Sequence, residues 1–377
     1  VQRVLLLIPA TSYRTSDFLD AASRLGAEIV VGSNRRQVLG EFSRGRALTL
    51  SFGSIEKGVS EIVAHARCHP LSAIVGTDEE TTVLAAAGSK ALGLPHNSPE
   101  SVAAAHDKYR FRCLLQQAGM RSPWFRLVYL PEDLPAAAAS AAYPCVLKPL
   151  SLSASRGVIR ADDEAAFLAA CDRIAAILRG TDGLADARQT DSVLAEAFIP
   201  GQEAALEGLL DGGRLKVLAL FDKPDPLYGP FFEETIYVTP SRLSDSVQQS
   251  IVQEVAEAAD ALGLKDGPFH AELRINNRGA WVIELAARSI GGLCSRALSF
   301  SHGVRLEDLI LRHALGWRIS DLEREERAAG VMMIPIPKAG RLSAVMGLDA
   351  ARAVPGIDEV TISVPIGDQL VPLPEGD

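Results

Sequence analysis

Apolar residues in the first hundred positions fall in short runs separated by amphipathic stretches. Residues 4–8, 28–31 and 73–75 predict strands, and residues 16–25 and 81–91 predict helices. This alternation points to a parallel sheet covered by helices over residues 1–97. Residues 98–121 read as a helical connector. Ser98-Pro99-Glu100 opens one helix, and His106-Asp107-Lys108 opens another that ends near Gly119. Strands follow at 123–130, 144–149 and 156–160. Over residues 163–179, Phe167, Cys171, Ile174 and Leu178 recur at spacings of 4, 3 and 4, which is one buried helical stripe. The polar stretch 180–190 reads as a mobile surface loop. Further strands are expected at 192–199, 204–210, 215–221, 269–275 and 280–286, with a helix at 245–262. From about residue 331 the chain turns Pro- and Gly-rich with short apolar runs, which suggests a small β-rich module.

Composition narrows the class. The chain has 377 residues, 47% hydrophobic and 23% charged, which excludes a disordered, collagenous or disulfide-stapled chain and leaves room for two or three cores. A net charge of −9 disfavours a nucleic-acid binder while leaving room for a local phosphate pocket. No apolar run reaches the 18 residues that a membrane span needs. The five cysteines are scattered without a C-x-x-C pair, so neither a zinc site nor a disulfide framework is expected, and a reducing cytoplasm is the natural setting. Residues 1–9 look like a strand and not a signal peptide, and the missing initiator Met suggests trimming there. The ending Pro374-Glu375-Gly376-Asp377 suggests a truncation. Pro9-Ala10-Thr11-Ser12 replaces the Gly-rich turn of a dinucleotide fold, which argues against such a site.

The richest segment is 269–285. Phe269, Ala271, Leu273 and Ile275 fall on one strand face, and His270, Glu272 and Arg274 on the other. A three-residue loop, Asn277-Arg278-Gly279, would set Glu272 opposite Glu284. Like charges so placed repel, and a divalent cation between them would resolve the conflict. The alternative is a solvated hairpin face.

Other candidates lie around it. Lys148 ends an apolar strand in Val146-Leu147-Lys148-Pro149 and either meets an anion or reaches solvent. The small-residue run 151–157, with Ser153, Ser155 and Gly157, can cradle phosphate or form a plain serine-rich turn. Glu196 and Glu203 flank Pro200-Gly201, suited to a purine edge and ribose hydroxyls, or simply a strand and a capped turn. Arg288, just before Gly291-Gly292, suits a developing anion or an ordinary salt bridge. Among seven histidines only His270 shares the proposed site face, and no zinc-protease or serine-hydrolase motif occurs.

In this order, the pieces resemble the ATP-grasp superfamily. The match runs over roughly residues 1–325 through Lys108 in His-Asp-Lys, Lys148 in Val-Leu-Lys-Pro, the 151–157 loop, Glu196 to Glu203, and Glu272/Glu284 followed by Arg288. His270-Ala271-Glu272, Glu284-Leu285-Ala286-Ala287-Arg288, the stretch Gly229–Glu234 and the tail are similar to the L-amino acid ligases. The resemblance implies an α/β and α+β ATP-grasp fold with three parts. These are an N-terminal Rossmann-like α/β domain (1–97), an ATP-grasp domain (98–325) with a lid at about 122–192 hinged near Gly157 and Gly180, and a C-terminal β-rich module (326–377).

The resemblance also implies roles. Lys108 and Lys148, with Ser153, Ser155 and Gly157, would contact ATP phosphates. Glu196 and the Phe198 backbone would meet adenine, and Glu203 the ribose. Glu272 and Glu284 would hold Mg²⁺, with Mn²⁺ as a substitute. Arg288 would stabilise an acyl phosphate, while His270, Glu233, Ser289, Gly291 and Gly292 would line the substrate pocket. Many relatives carry Asn where this chain has Ala286, which bears on a second metal ion.

The expected reaction is ATP-dependent amide formation between small-molecule carboxylate and amine substrates, amino acids by resemblance, with no nucleic-acid or membrane partner. A homodimer is left open. The rivals are a carboxylase-type or purine-pathway enzyme, against which the missing Met-Lys-Met biotin motif speaks, and a non-catalytic nucleotide-binding protein.

Overall fold

The computed structural model describes residues 2–35, 46–181 and 187–376. The first unit contains β1 (Arg3–Leu7), α1 (Thr15–Leu25), β2 (Glu28–Ser33), β3 (Ala47–Thr49), α2 (Ile55–Cys68), β4 (Ala73–Gly76) and α3 (Glu79–Leu92). Its sheet is parallel, in the order β3-β2-β1-β4. Parallel strands buried on both faces need apolar side chains on both, and β1 supplies them. Val4 and Leu6 pack with Phe18 of α1 on one side, while Leu5 and Leu7 pack with Ile62 of α2 and Leu84 of α3 on the other. The helix α2 and the short β3 had no counterpart in the sequence reading.

Ser98 caps α4 (Pro99–His106) by accepting from the Ser101 N–H, and Asp107 caps α5 (Lys108–Gln117) by accepting from the N–H groups of Tyr109 and Arg110. The next unit holds β5 (Phe125–Tyr129), α6 (Leu134–Ser140), β6 (Cys145–Pro149), β7 (Ile159–Ala161), α7 (Glu164–Arg179), α8 (Ala187–Thr190) and β8 (Ser192–Ala197). Its antiparallel sheet runs β5-β8-β6-β7 and has its own core. Phe167, Cys171, Ile174 and Leu178 of α7 are all buried in it, and burial of the larger ones is worth about 1.5–3 kcal/mol each. Of the stretch 180–190 expected as a loop, residues 182–186 lie outside the described residues, and 187–190 form α8.

The central unit is a six-stranded sheet, β13-β12-β9-β10-β11-β14. It comprises β9 (Gln202–Asp211), β10 (Arg214–Lys223), β11 (Ile236–Thr239), β12 (Gly267–Asn276), β13 (Gly279–Ala286) and β14 (Ala329–Met332). Helix α9 (Asp245–Leu262) packs on one face with α4 and α5, and α10 (Leu306–Ala314) joins the core on the other. Because β14 pairs with β11, residues 329–332 belong to this sheet, and the tail proper starts after Met332. That tail carries α11 (Leu348–Arg352) and one short ladder between β15 (Gly340–Arg341) and β16 (Gln369–Leu370). Its end reaches back to the second unit. Gly157 N–H donates to the Pro374 carbonyl at 2.8 Å, and Arg173 grips the Glu375 carboxylate at 2.6 and 2.9 Å. No helix among the described residues is long and apolar enough to cross a membrane.

The β12–β13 hairpin corrects one expectation while keeping its outcome. Asn276 pairs with Gly279, so the turn has two residues, Asn277 and Arg278, and not three. That shift alone would put Glu272 out of line with Glu284. A β-bulge at Ile283 absorbs one residue and restores the Glu272–Glu284 pair.

Gly201 sits in the turn that feeds β9. Its φ is +133°, and a Cβ there would lie 2.1 Å from the Ile275 carbonyl oxygen. Gly201→Ala is therefore expected to destabilise the chain by more than about 1 kcal/mol, read as a lower urea midpoint with unchanged slope.

Candidate active site

Three neighbouring strands, β12, β9 and β10, each send one charged side chain to the same place. Lys223 ends β10, and its ammonium is 2.5 Å from Glu203 of β9, 3.3 Å from Glu272 of β12 and 2.5 Å from Glu234 in the segment before β11. A carboxylate oxygen from each glutamate lies within 4.8 Å of the others, the one such metal-competent grouping among the described residues. Burial alone would push the Lys223 ammonium down, yet the three carboxylates raise it well above its ordinary value. Burial and the neighbouring Glu272 charge push Glu234 up to about 7, and Tyr237 donates to its other oxygen. Glu272 is held well below the usual range by Lys223 and His270 despite burial. A buried cation among hard oxygen donors shows that this pocket suits positive charge, which is what Mg²⁺ would require. Glu203 also binds Arg274 at 2.9 Å, and that guanidinium and Arg160 cover the Phe198 ring at 5.1 and 4.5 Å from its centroid.

Glu284 faces Glu272 in register, but its carboxylate turns to the Lys108 ammonium at 3.9 Å, outside the trio. Lys108 also donates to the Leu152 carbonyl at 2.6 Å, so it joins the hairpin to the 151–157 loop. In that loop Ala154, Ser155 and Gly157 all have left-handed φ angles of 56°, 56° and 72°, a curled backbone of the kind that presents N–H groups to anions. The Gly157 N–H is engaged by the tail carbonyl of Pro374.

Lys148 of β6 bonds Glu196 of β8 at 2.6 Å, and Arg112 of α5 bonds the same carboxylate at 2.7 Å. Burial would raise Glu196, but the guanidinium and the ammonium bring it down to about 2. Both Glu196 oxygens thus hold cations, and the Phe198 N–H donates to the Pro144 carbonyl.

Arg288 pairs with Glu79 at the start of α3, 2.8 Å away. Its neighbour Ser289 accepts from Arg14, which also donates to the Ile290 carbonyl, and Gly292 N–H donates to the Tyr13 hydroxyl. His270 lies 3.5 Å from both Glu272 and Glu207, and Glu207 accepts from the Ile290 N–H. Arg288, Ser289, Gly291 and Gly292 therefore face the first unit, with Tyr13 3.3 Å from where a Gly291 Cβ would stand. Glu233 is exposed and accepts from the Ile336 N–H in the tail, while Glu234 occupies the cluster. Lys223, Glu234, Arg112, Glu207, Tyr13, Arg14 and Glu79 were not singled out from the sequence.

The whole arrangement aligns with a crystal structure of an L-amino acid ligase from Bacillus licheniformis, with a TM-score of 0.84 and 26% identity, covering 99% of this chain and 90% of that one. Three family models match consecutive stretches: the ATP-grasp N-terminal domain at 19–96, the ATP-grasp domain at 141–297 and the L-amino acid ligase C-terminal domain 2 at 332–377. The chain belongs to the ATP-grasp superfamily. This ATP-grasp chain is 29% identical over 269 residues to alanine–anticapsin ligase of Bacillus amyloliquefaciens, covering 68% of itself and 56% of the relative. It thus spans about half the length of that relative. It is 26% identical to dapdiamide A synthase of Enterobacter agglomerans over 347 residues, covering 89% of itself and 78% of the synthase.

One consequence of the ATP-grasp site is a pH dependence. Burial would lower His270, but Glu207 and Glu272 outweigh it and raise the imidazole to about 9, above its ordinary 6.5. The stabilisation is complete below the unfolded value and is lost as pH rises through the folded one. The urea midpoint should fall between about pH 6.5 and 9, and it should fall less in His270→Asn.

Proposed function

We propose that the chain is an ATP-dependent carboxylate–amine ligase that joins amino acids through an acyl phosphate. The observation that carries this is the Glu272–Glu284 register pair, with Lys108 at Glu284, Lys223 at Glu272 and Arg288 within the field of Glu284, on a fold aligned with an L-amino acid ligase.

Phosphoryl transfer asks a protein mainly to position groups and neutralise charge, and the site has those means. Glu203 would meet the ribose, close to the Phe198 and Phe232 rings that Arg160 and Arg274 cover. Lys148, held by Glu196, and Lys108, held against the 151–157 loop, reach the phosphates. Lys223 gives up carboxylate contacts to meet the terminal phosphate. Glu272 and Glu284 would hold Mg²⁺, which would supply charge neutralisation for the phosphates. A substrate carboxylate oxygen attacks the γ-phosphorus, giving an acyl phosphate and releasing ADP. The amine nitrogen then attacks the acyl carbon, loses a proton and expels phosphate. Arg288 faces the oxygen that gains charge in that step, and Glu79 keeps the guanidinium in place. The antiparallel unit β5–β8 has its own core and serves as the lid that closes over the nucleotide, shutting out water.

Amine-dependent ADP release across a panel of amino acids tests the reading. Arg288→Ala should lower kcat by roughly 10²–10³-fold while leaving binding of a fluorescent ADP analogue intact. Multiple-turnover ADP release whose rate does not depend on any amine, or an Arg288→Ala variant at full rate, would overturn it. Binding of ATP analogues should also protect residues 122–192 from proteolysis, and EDTA should abolish turnover.

A further inference from the structure

A second cavity, of about 830 Å³, lies away from the carboxylate cluster, between the first unit and the central sheet. That volume suits a small ligand. One wall is the whole of β4, the edge strand of its sheet. An edge strand turns half its backbone N–H and C=O groups away from its partner. Among the described residues, no hydrogen bond beyond the ladder with β1 reaches Ala73 to Gly76. Ala73 and Val75 are buried, and buried backbone groups ordinarily find partners. Ser89 of α3 also lines the cavity. It is 2% exposed.

The charges are mixed. Asp266, paired with His313 at 3.4 Å, faces the cavity, as do Asp211 and Arg214 of the β9–β10 turn, which no ion pair engages among the described residues. Leu209, Pro268 and Ile310 give the opposite wall an apolar surface.

We propose that this cavity binds a dipeptide-sized peptide in extended form, its amide pairing with β4, its ammonium near Asp211 and Asp266, and its carboxylate near Arg214. Strand addition of this kind draws affinity from main-chain hydrogen bonds. Four residues of β4 span about 13 Å, enough to match such a molecule. The inner end of the cavity includes Gly76, Thr82 and Ala287, next to the Glu79–Arg288 pair, so a peptide there would sit beside the reaction centre without occupying it.

The site lies beyond the proposed ligase reaction, and its test uses no nucleotide, so it stands or falls separately. Isothermal titration of the full chain with L-alanyl-L-leucine should give saturable binding. Free L-leucine, which has no amide to pair with the strand, should bind at least tenfold more weakly. Ala85→Trp, which fills the cavity, and Arg214→Glu at its rim should each weaken the dipeptide at least tenfold, while Glu272→Gln at the carboxylate cluster should leave it unchanged. Should Ala85→Trp fail to fold, Arg214→Glu decides. No binding to the unaltered chain, unchanged binding in Arg214→Glu, or loss of binding in Glu272→Gln would overturn the proposal.

Discussion

Buried carboxylates at one end of a sheet repel one another unless cations stand among them, and this requirement organises the molecule. Removing one partner from such a group leaves an uncompensated buried charge, which costs several kcal/mol. Lys223 answers for Glu203, Glu234 and Glu272. Arg112 and Lys148 answer for Glu196, and Arg288 answers for Glu79. Each compensation also ties separate elements together. Arg112 links α5 to β8 and, through the Val282 carbonyl, to β13. Arg288 ties the central sheet to the start of α3. The charges that compensate these carboxylates are thus also the ones that tie the units of the chain together.

Much of this was legible in the sequence where periodicity governs. The two-residue repeat of β12 put His270, Glu272 and Arg274 on one face, and the 4-3-4 spacing of α7 marked its buried stripe. Where periodicity stops, the reading stopped too. Lys223 stands two residues past the apolar run that ended the expected strand at 221, and only the folded β10 extends far enough to include it. Between Glu233 and Glu234 no strand fixes the direction of a side chain, and only the folded chain shows that Glu234 turns to Lys223. Tyr13, Arg14 and Glu79 reach the site from more than two hundred positions away, a proximity no local pattern carries.

The N-terminal unit takes part in the site through its chemistry as well as its bulk. In open parallel sheets, ligands gather beyond the carboxyl ends of the strands. Here the segments following β1 and β4 carry Tyr13, Arg14 and Glu79 to the face of the 288–292 stretch. Arg14 is buried and spends its donors on Ser289 and Ile290, so it fixes the shape of that stretch. Glu207, fully buried behind it, fixes the Ile290 N–H from the other side.

The extra residue at Ile283 has a consequence for how such a hairpin can drift in sequence over time. A single insertion or deletion in the Asn277-Arg278 turn would turn the outer half of β13 over, swapping its wet and dry sides, unless the bulge appeared or vanished in the same lineage. Turn length and bulge should therefore be inherited as a linked pair. Descendants that gain a residue at the tip should be found to have lost one near 283, with the two acidic side chains still opposite each other.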